Sequence, residues 1–307
     1  MSVAEAKVKP FTPTPGYQFP EGVVIKTHIN VDGHSFPHIE TTSFPRSDPW
    51  SIKMRRSARR VRESGRFDGA IVRELGVGDG RNLREAGQRI IRAEGVDVDD
   101  WRLEAAHQNL ISGEAPLNVE VKLWQGDAVD YLLDHQGNGR ERFKGWVLMC
   151  LPQSPEGNNA ADTFGSTPNL DSYRERWDKT GLTLNAAVLD NLRKIADADL
   201  RALVIISNRV QPKYRDAVIK ETGWEVEAKY KTEHPVQQDD DTGVSWVEKI
   251  DDGRRFFEKT QKGVFVPIVA AEAEKRRQAS VESGLGRKDL NAYHHLTVYE
   301  LKPGGKK

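Results

Sequence analysis

The sequence predicts an α/β fold built on a doubly wound sheet, with an antiparallel strand near its carboxyl terminus. Three observations carry that expectation. One apolar run ends in Glu74-Leu75-Gly76-Val77-Gly78-Asp79-Gly80, a second in Gly95-Val96-Asp97-Val98 and a third in Gln125-Gly126-Asp127-Ala128. A strand that ends in Gly-x-Gly-x-Gly lets the backbone turn sharply and approach a ligand where a Cβ would collide. Such triplets also occur in ordinary turns, but here Asp97 and Asp127 arrive in order, each after an apolar run, at the spacing of successive β-α units.

Residues 1 to about 48 carry Pro10, Pro13, Pro15, Pro20, Pro37 and Pro45, with only Val23-Val24-Ile25 strand-like, and are expected to form an arm or lid. Ser47 or Asp48 then caps a helix from about Trp50 to Glu63, with Pro49 at its first position and Gly65 as its stop. Next come a strand near Ala70 to Leu75, a helix near Asn82 to Ile91, a short strand to Asp97 and a helix from Trp101 to Leu110. Val119 to Trp124 and Lys144 to Cys150 supply further strands, and a helix from Leu182 to Ile195 precedes the strand Leu203 to Ser207. Trp224 to Tyr230 and Leu296 to Leu301 read as a terminal antiparallel pair, separated by a long excursion over residues 233 to 292. The expected organisation is one main domain over residues 49–301, capped by the arm and by insertions at about 152–180 and 233–292. Residues 302–307 are expected to be a mobile tail.

At 307 residues the chain buries a substantial core, and its 46 Lys and Arg balance 46 Asp and Glu, so no global field draws it to nucleic acid or an anionic membrane. The single Cys150 excludes an internal disulfide framework, and no long apolar run or signal-like amino terminus is present; a cytoplasmic location is expected. The run Lys53, Arg55, Arg56, Arg59, Arg60, Arg62, Arg66 spreads around its helix without interleaved aromatic residues, which favours a solvated or interface helix over an RNA surface. The partner expected is a small molecule; a homodimer is the default assembly, because twofold oligomers are the commonest.

Glycine-loop layouts of this kind hold either a dinucleotide or S-adenosylmethionine. Glu74, two residues before the first glycine, would repel a pyrophosphate but suits the ammonium of a methionine moiety. Asp97 is positioned to accept hydrogen bonds from both ribose hydroxyls, and Asp127 to accept one from the adenine amino group. S-adenosylmethionine is therefore the expected cofactor, held by Glu74, Gly76, Gly78, Gly80, Asp97, Val98, Asp127, Ala128 and Leu151.

The methyl acceptor is expected beside Cys150-Leu151-Pro152-Gln153, at the carboxyl end of the fourth strand, where the segment reads equally as a proline-fixed loop in which Pro152 and Gln153 shape the transfer region or as a plain strand-to-helix turn. The amide-rich loop Glu156 to Asp162, including Asn159, reads as a substrate cover. Tyr173 and Trp177 lie four apart, which makes either an aromatic wall over a sulfonium or, with more weight, the packing face of a cap helix. Asp239-Asp240-Asp241 and His294-His295 lack metal-ligand spacing, so no metal is expected; they read first as a hydrated acidic turn and strand-edge histidines, with Asp241 and His294 as polar contacts for a substrate the alternative.

On Glu74 to Gly80, Gly95-Val96-Asp97, Cys150 to Gln153, Arg255-Phe256 and His294 to Tyr299, over residues 48–301, the chain resembles the methionine S-methyltransferases, a class I methyltransferase family. A Cys-x-Pro-Gln after the fourth strand departs from the Asn-Pro-Pro-Tyr usual in amide-nitrogen methylases and argues against an amide acceptor. The resemblance is to the bacterial stand-alone members of dimethylsulfoniopropionate synthesis. It implies transfer of a methyl group from S-adenosylmethionine to L-methionine, giving S-methyl-L-methionine. Arg255 is the expected partner of the methionine carboxylate and Asp241 of its ammonium, with Asn159 and His294 as polar contacts.

Overall fold

The computed structural model describes residues 8–31, 34–41, 48–113, 116–137, 142–151, 153, 170–237, 256–283 and 290–305. The amino-terminal segment contributes a short strand β1 (Lys9–Pro10) and the strands β2 (Val24–Val31) and β3 (His34–Thr41), which pair antiparallel as a hairpin. Helix α1 (Pro49–Glu63) follows; the Asp48 carboxylate caps it by accepting from Ser51 N at 2.7 Å, and Pro49 sits at its first position, where a missing N–H costs nothing.

The alternating unit then runs β4 (Ile71–Leu75), α2 (Arg81–Glu85), β5 (Arg92–Asp97), α3 (Asp100–His107), β6 (Glu120–Gln125), α4 (Ala128–Gly137), β7 (Trp146–Met149), α5 (Asp171–Trp177), α6 (Thr183–Ile195), β8 (Arg201–Ser207), α7 (Pro212–Glu221) and β9 (Trp224–Lys231). The helix expected over 82–91 stops at Glu85, because Gly87 turns into the left-handed region at φ 83°. A single turn of π-helix over Gln108–Ser112 continues α3.

The rest of the chain adds β10 (Val236–Gln237), β11 (Phe256–Lys259), β12 (Phe265–Ile268), α8 (Ala270–Glu282), β13 (Tyr293–His294) and β14 (Leu296–Pro303). Four of these strands form a small antiparallel sheet in the order β10-β13-β11-β12. β14 continues past the expected Leu301, and Gly304 N donates to Gly223 O at 2.8 Å, so Lys302 to Gly304, expected as part of a mobile tail, are held on the sheet.

The central sheet has the order β1-β6-β5-β4-β7-β8-β14-β9. β6, β5, β4, β7 and β8 are parallel, and β14 runs antiparallel between β8 and β9. This is the doubly wound, Rossmann-like architecture of class I methyltransferases, with the antiparallel strand the sequence leads one to expect. Apolar residues leave both faces of the strands: Val147 and Met149 of β7 join one core with α4 and α6, while Trp146 and Leu148 join the other with α1 and α3. The winding reverses between β4 and β7, so their carboxyl ends border the crevice in which folds of this kind place ligands.

The arginine-rich helix is engaged inside the fold. Glu85 is fully buried, and Arg55 Nε and Arg59 Nη2 donate to its Oε1 at 3.2 and 2.8 Å, with Arg62 Nη1 3.8 Å from Oε2. Arg66 pairs with Glu300 and lies over the Trp146 ring.

Candidate active site

The glycine loop leaves β4 at the switch point and is tied at once to β5, where Gly76 N and Val77 N both donate to Val96 O. Gly80, at φ 81°, would place a Cβ 2.7 Å from Leu110 Cδ1, so neither its conformation nor its surroundings admit another residue. Gly78 is the opposite case: at φ 54° it has no atom within 4 Å of the place a Cβ would occupy, and the loop presents open space there. Leu151 lies against the loop, its Cδ2 3.2 Å from where a Cβ on Gly76 would stand.

Asp97, buried at the tip of β5, accepts from Gly78 N at 2.9 Å through Oδ2 and from Asp99 N at 3.2 Å through Oδ1. A carboxylate has about four lone-pair sites, so it can accept from further donors at the same time. Val98, next to it, is 48% exposed, a large apolar side chain facing out at the strand tip. Asp127 caps α4 by accepting from Val129 N at 2.7 Å, with Ala128 as the first helical residue.

Buried acids gather around this loop. Glu40, Asp48, Glu74, Asp79 and Asp97 are each at most 5% exposed, and they outnumber the cations acting on them, Arg81, Arg102 and, when protonated, His38. Burial pushes the Glu74 carboxyl well above the usual carboxylate range; hydrogen bonds from the Asn82 side chain and the Leu83 backbone oppose the shift, while Asp79 and Asp97 add to it. Burial pushes the Asp79 carboxyl up, but His38 and the Arg81 guanidinium outweigh it and hold Asp79 low. Glu74 Oε1 accepts from Asn82 Nδ2 at 2.6 Å, but Glu74 Oε2, Asn82 Oδ1 and Arg81 Nη1 are buried without hydrogen-bond partners. Glu74 and Asn82, bonded to each other, and Arg81, next to Asn82 in the chain, thus each carry a buried polar atom without a partner at the base of the loop.

At the other side of the crevice, the Gln153 amide is fully engaged: Nε2 donates to Ile205 O at 2.6 Å and Oε1 accepts from Ser207 N at 3.0 Å, fastening the segment after β7 to β8. His294, fully buried, has Nδ1 3.1 Å from Ser207 Oγ, and Arg209 Nε donates to the same hydroxyl at 3.0 Å. Burial, with Asp48 and Glu74 nearby, pushes the Cys150 thiol well up, so it stays protonated and inert. Tyr173 turns its hydroxyl to Asp190 Oδ2 at 2.6 Å and packs α5 on α6, the cap-helix role. Pro152, Asn159, Asp241 and Arg255 lie outside the described residues.

Sequence reasoning placed Glu74, Asp97, Leu151 and Gln153 at the carboxyl edge and gave His294 only as a polar contact; the structure brings His294 to Ser207 at the end of β8. It missed Ser207, which joins Gln153, His294 and Arg209, and it missed Arg81 and Asn82. Those two follow the last glycine directly, and their position at the start of a helix beneath the loop was the available signal. Among the described residues, no group of three or more His, Cys, Asp or Glu is placed to hold a metal ion, and no helix is long and apolar enough to cross a membrane.

No protein-family model and no curated protein matches the chain. Several solved structures are similar to it over much of their length. A putative methyltransferase of Bacillus halodurans C-125 is 9% identical, covering 81% of this chain and all of that one at a TM-score of 0.45. A S-adenosylmethionine-dependent methyltransferase of Geobacter sulfurreducens, solved with S-adenosylhomocysteine, is 16% identical over 82% of this chain and 90% of that one at 0.42. A counterpart from Thiobacillus denitrificans, also with S-adenosylhomocysteine, is 14% identical over 82% and 91% at 0.43. At such scores the fold assignment rests on the strand order itself.

Proposed function

We propose that the chain is a S-adenosylmethionine-dependent methyltransferase and that its acceptor is the thioether sulfur of L-methionine. The observation that carries the cofactor reading is the buried set at the base of the glycine loop. Glu74 Oε2 and Asn82 Oδ1 are acceptors suited to an α-ammonium, and Arg81 Nη1 is a donor suited to an α-carboxylate. The surplus of buried carboxylates favours a ligand with net positive charge, such as an adenosyl sulfonium, and opposes a pyrophosphate. In this reading Asp97 takes the ribose hydroxyls, Val98 and Ala128 border the adenine, Asp127 receives its amino group, and Gly78 gives the room the ligand needs.

The acceptor reading rests on the Cys150-Leu151-Pro152-Gln153 resemblance together with the engagement of the titratable groups described beside it. Burial holds the Cys150 thiol up, and His294 turns Nδ1 to Ser207 Oγ and to His295 O, both at 3.1 Å. A thioether lone pair attacks the methyl carbon without losing a proton, so holding sulfur and methyl in line is the whole task. In-line transfer moves the positive charge from the donor sulfur to the acceptor sulfur and leaves S-adenosylhomocysteine and S-methyl-L-methionine. Gln153 and Ser207 act here as positioning residues for the acceptor side, while Asn159, Asp241 and Arg255 remain the proposed contacts of the methionine zwitterion.

The test is turnover of methyl-labelled S-adenosylmethionine with a mixed amino-acid pool, read by mass spectrometry. Labelled S-methylmethionine is expected, at a rate that with saturating cofactor is flat with pH above neutrality because no acceptor proton has to leave. A labelled N-methyl product whose formation climbs with amine deprotonation would replace the methionine reading.

A further inference from the structure

The amino-terminal hairpin is bound to the glycine loop through the side chain of Asn109. Asn109, 4% exposed in the π-helical turn after α3, accepts from Ile39 N of β3 at 2.7 Å through Oδ1. Its Nδ2 donates to Ile39 O at 2.8 Å and to Asp79 O at 2.8 Å. One amide therefore pairs with a hairpin strand as a neighbouring strand would, and in the same stroke grips the loop that turns toward the ligand. A π-helical turn is costly to keep without a role, because it widens the helix against its regular hydrogen bonding.

The clasp has a second point. His38, 3% exposed, directs Nε2 to Asp79 Oδ2 at 3.5 Å, and Asp79 in turn accepts from Arg81 Nε at 2.9 Å. Glu40, also buried on β3, acts electrostatically on Arg81. The hairpin thus reaches both the backbone of the loop, at Asp79, and the guanidinium whose Nη1 is left without an acceptor. From the opposite side Asp97 holds Gly78, so the loop is gripped between β5 and β3.

We infer that the amino-terminal hairpin is a working part of the cofactor site and that Asn109 is the positioning residue that couples the two. Ligand entry and hairpin docking then favour one another: a ligand that orders residues 76–81 strengthens the seat of β3, and a docked β3 keeps the loop in its binding shape. Linkage requires the two effects to be reciprocal and equal in free energy. The inference rests on the cofactor reading above, and its test separates the two.

S-adenosylhomocysteine is the probe, added to the full chain. Amide hydrogen exchange is followed across residues 34–41, and affinity is measured by calorimetry for the unaltered chain, for Asn109→Ala, and for Thr222→Ala as a control. Thr222 loses buried bonds of its own, to Val218 O at 2.6 Å and Ile219 O at 3.2 Å, at the end of α7. The expected result is that the probe slows exchange over 34–41 by roughly 10-fold in the unaltered chain, and that Asn109→Ala weakens affinity by a similar factor, with Thr222→Ala unchanged. Unchanged exchange in the unaltered chain overturns the coupling, and that arm needs no variant to fold. Unchanged affinity in Asn109→Ala overturns the role given to that residue. Failure of the unaltered chain to bind the probe removes the cofactor reading and the inference with it.

Discussion

Replacing Asp97 by alanine is expected to weaken binding of S-adenosylmethionine by about 100-fold or more, with the fold retained. Two losses add. The Gly78 and Asp99 amides lose the carboxylate that now accepts from them, so the loop is no longer fastened to β5. The ribose hydroxyls lose a charged acceptor, and hydrogen bonds to charged groups contribute about 1.5–3 kcal/mol each, so one alone approaches a factor of 100. Asp97→Asn keeps one acceptor oxygen for Gly78 and is expected to fall between. Calorimetric titration measures the affinities, and thermal denaturation shows whether the sheet is intact.

Glu74→Gln is expected to have an effect that depends on pH. Burial raises the Glu74 pKa, so the folded chain keeps a proton that the unfolded chain has already released. By linkage, the stability of the ligand-free chain falls as pH climbs from the ordinary carboxylate range through the raised value. A cation beside Oε2 favours the ionised form; binding therefore expels that proton and tightens over the same rise. Glutamine cannot ionise. The variant and the parent are expected to bind almost alike on the acid side, and to diverge by roughly 10- to 100-fold on the alkaline side. Calorimetry in two buffers of different ionisation enthalpy is expected to show proton release in the parent and none in the variant.

Much of the sheet and of the cofactor loop was legible in the sequence because both are written in local signals. Apolar runs mark strands buried on two faces, glycines mark a backbone that turns left-handed, and Asp97 and Asp127 fall at strand tips fixed by those runs. The helix over 82–91 was read too long because its apolar pattern continues past Gly87, whose left-handed backbone ends it. The hairpin was hidden among the prolines of the arm, although Asp32-Gly33 between two runs of strand-forming residues is a recognised hairpin signal. Asn109 was not legible at all. Its partners are main-chain groups of Ile39, 70 residues away, and Asp79, 30 away, and a bond to a distant backbone leaves no pattern in the chain. Ser207 escaped for the same reason: its neighbours Gln153 and His294 meet it only once β7, β8 and β13 have been brought together.

The most direct test of the central claim, that the buried acids at the glycine loop receive a cationic adenosyl ligand, is a competitive titration of the unaltered chain with S-adenosylmethionine and NAD. Saturable binding of S-adenosylmethionine, accompanied by release of a proton and undisturbed by excess NAD, is the result expected. Displacement of S-adenosylmethionine by NAD, or binding of NAD alone, would contradict it.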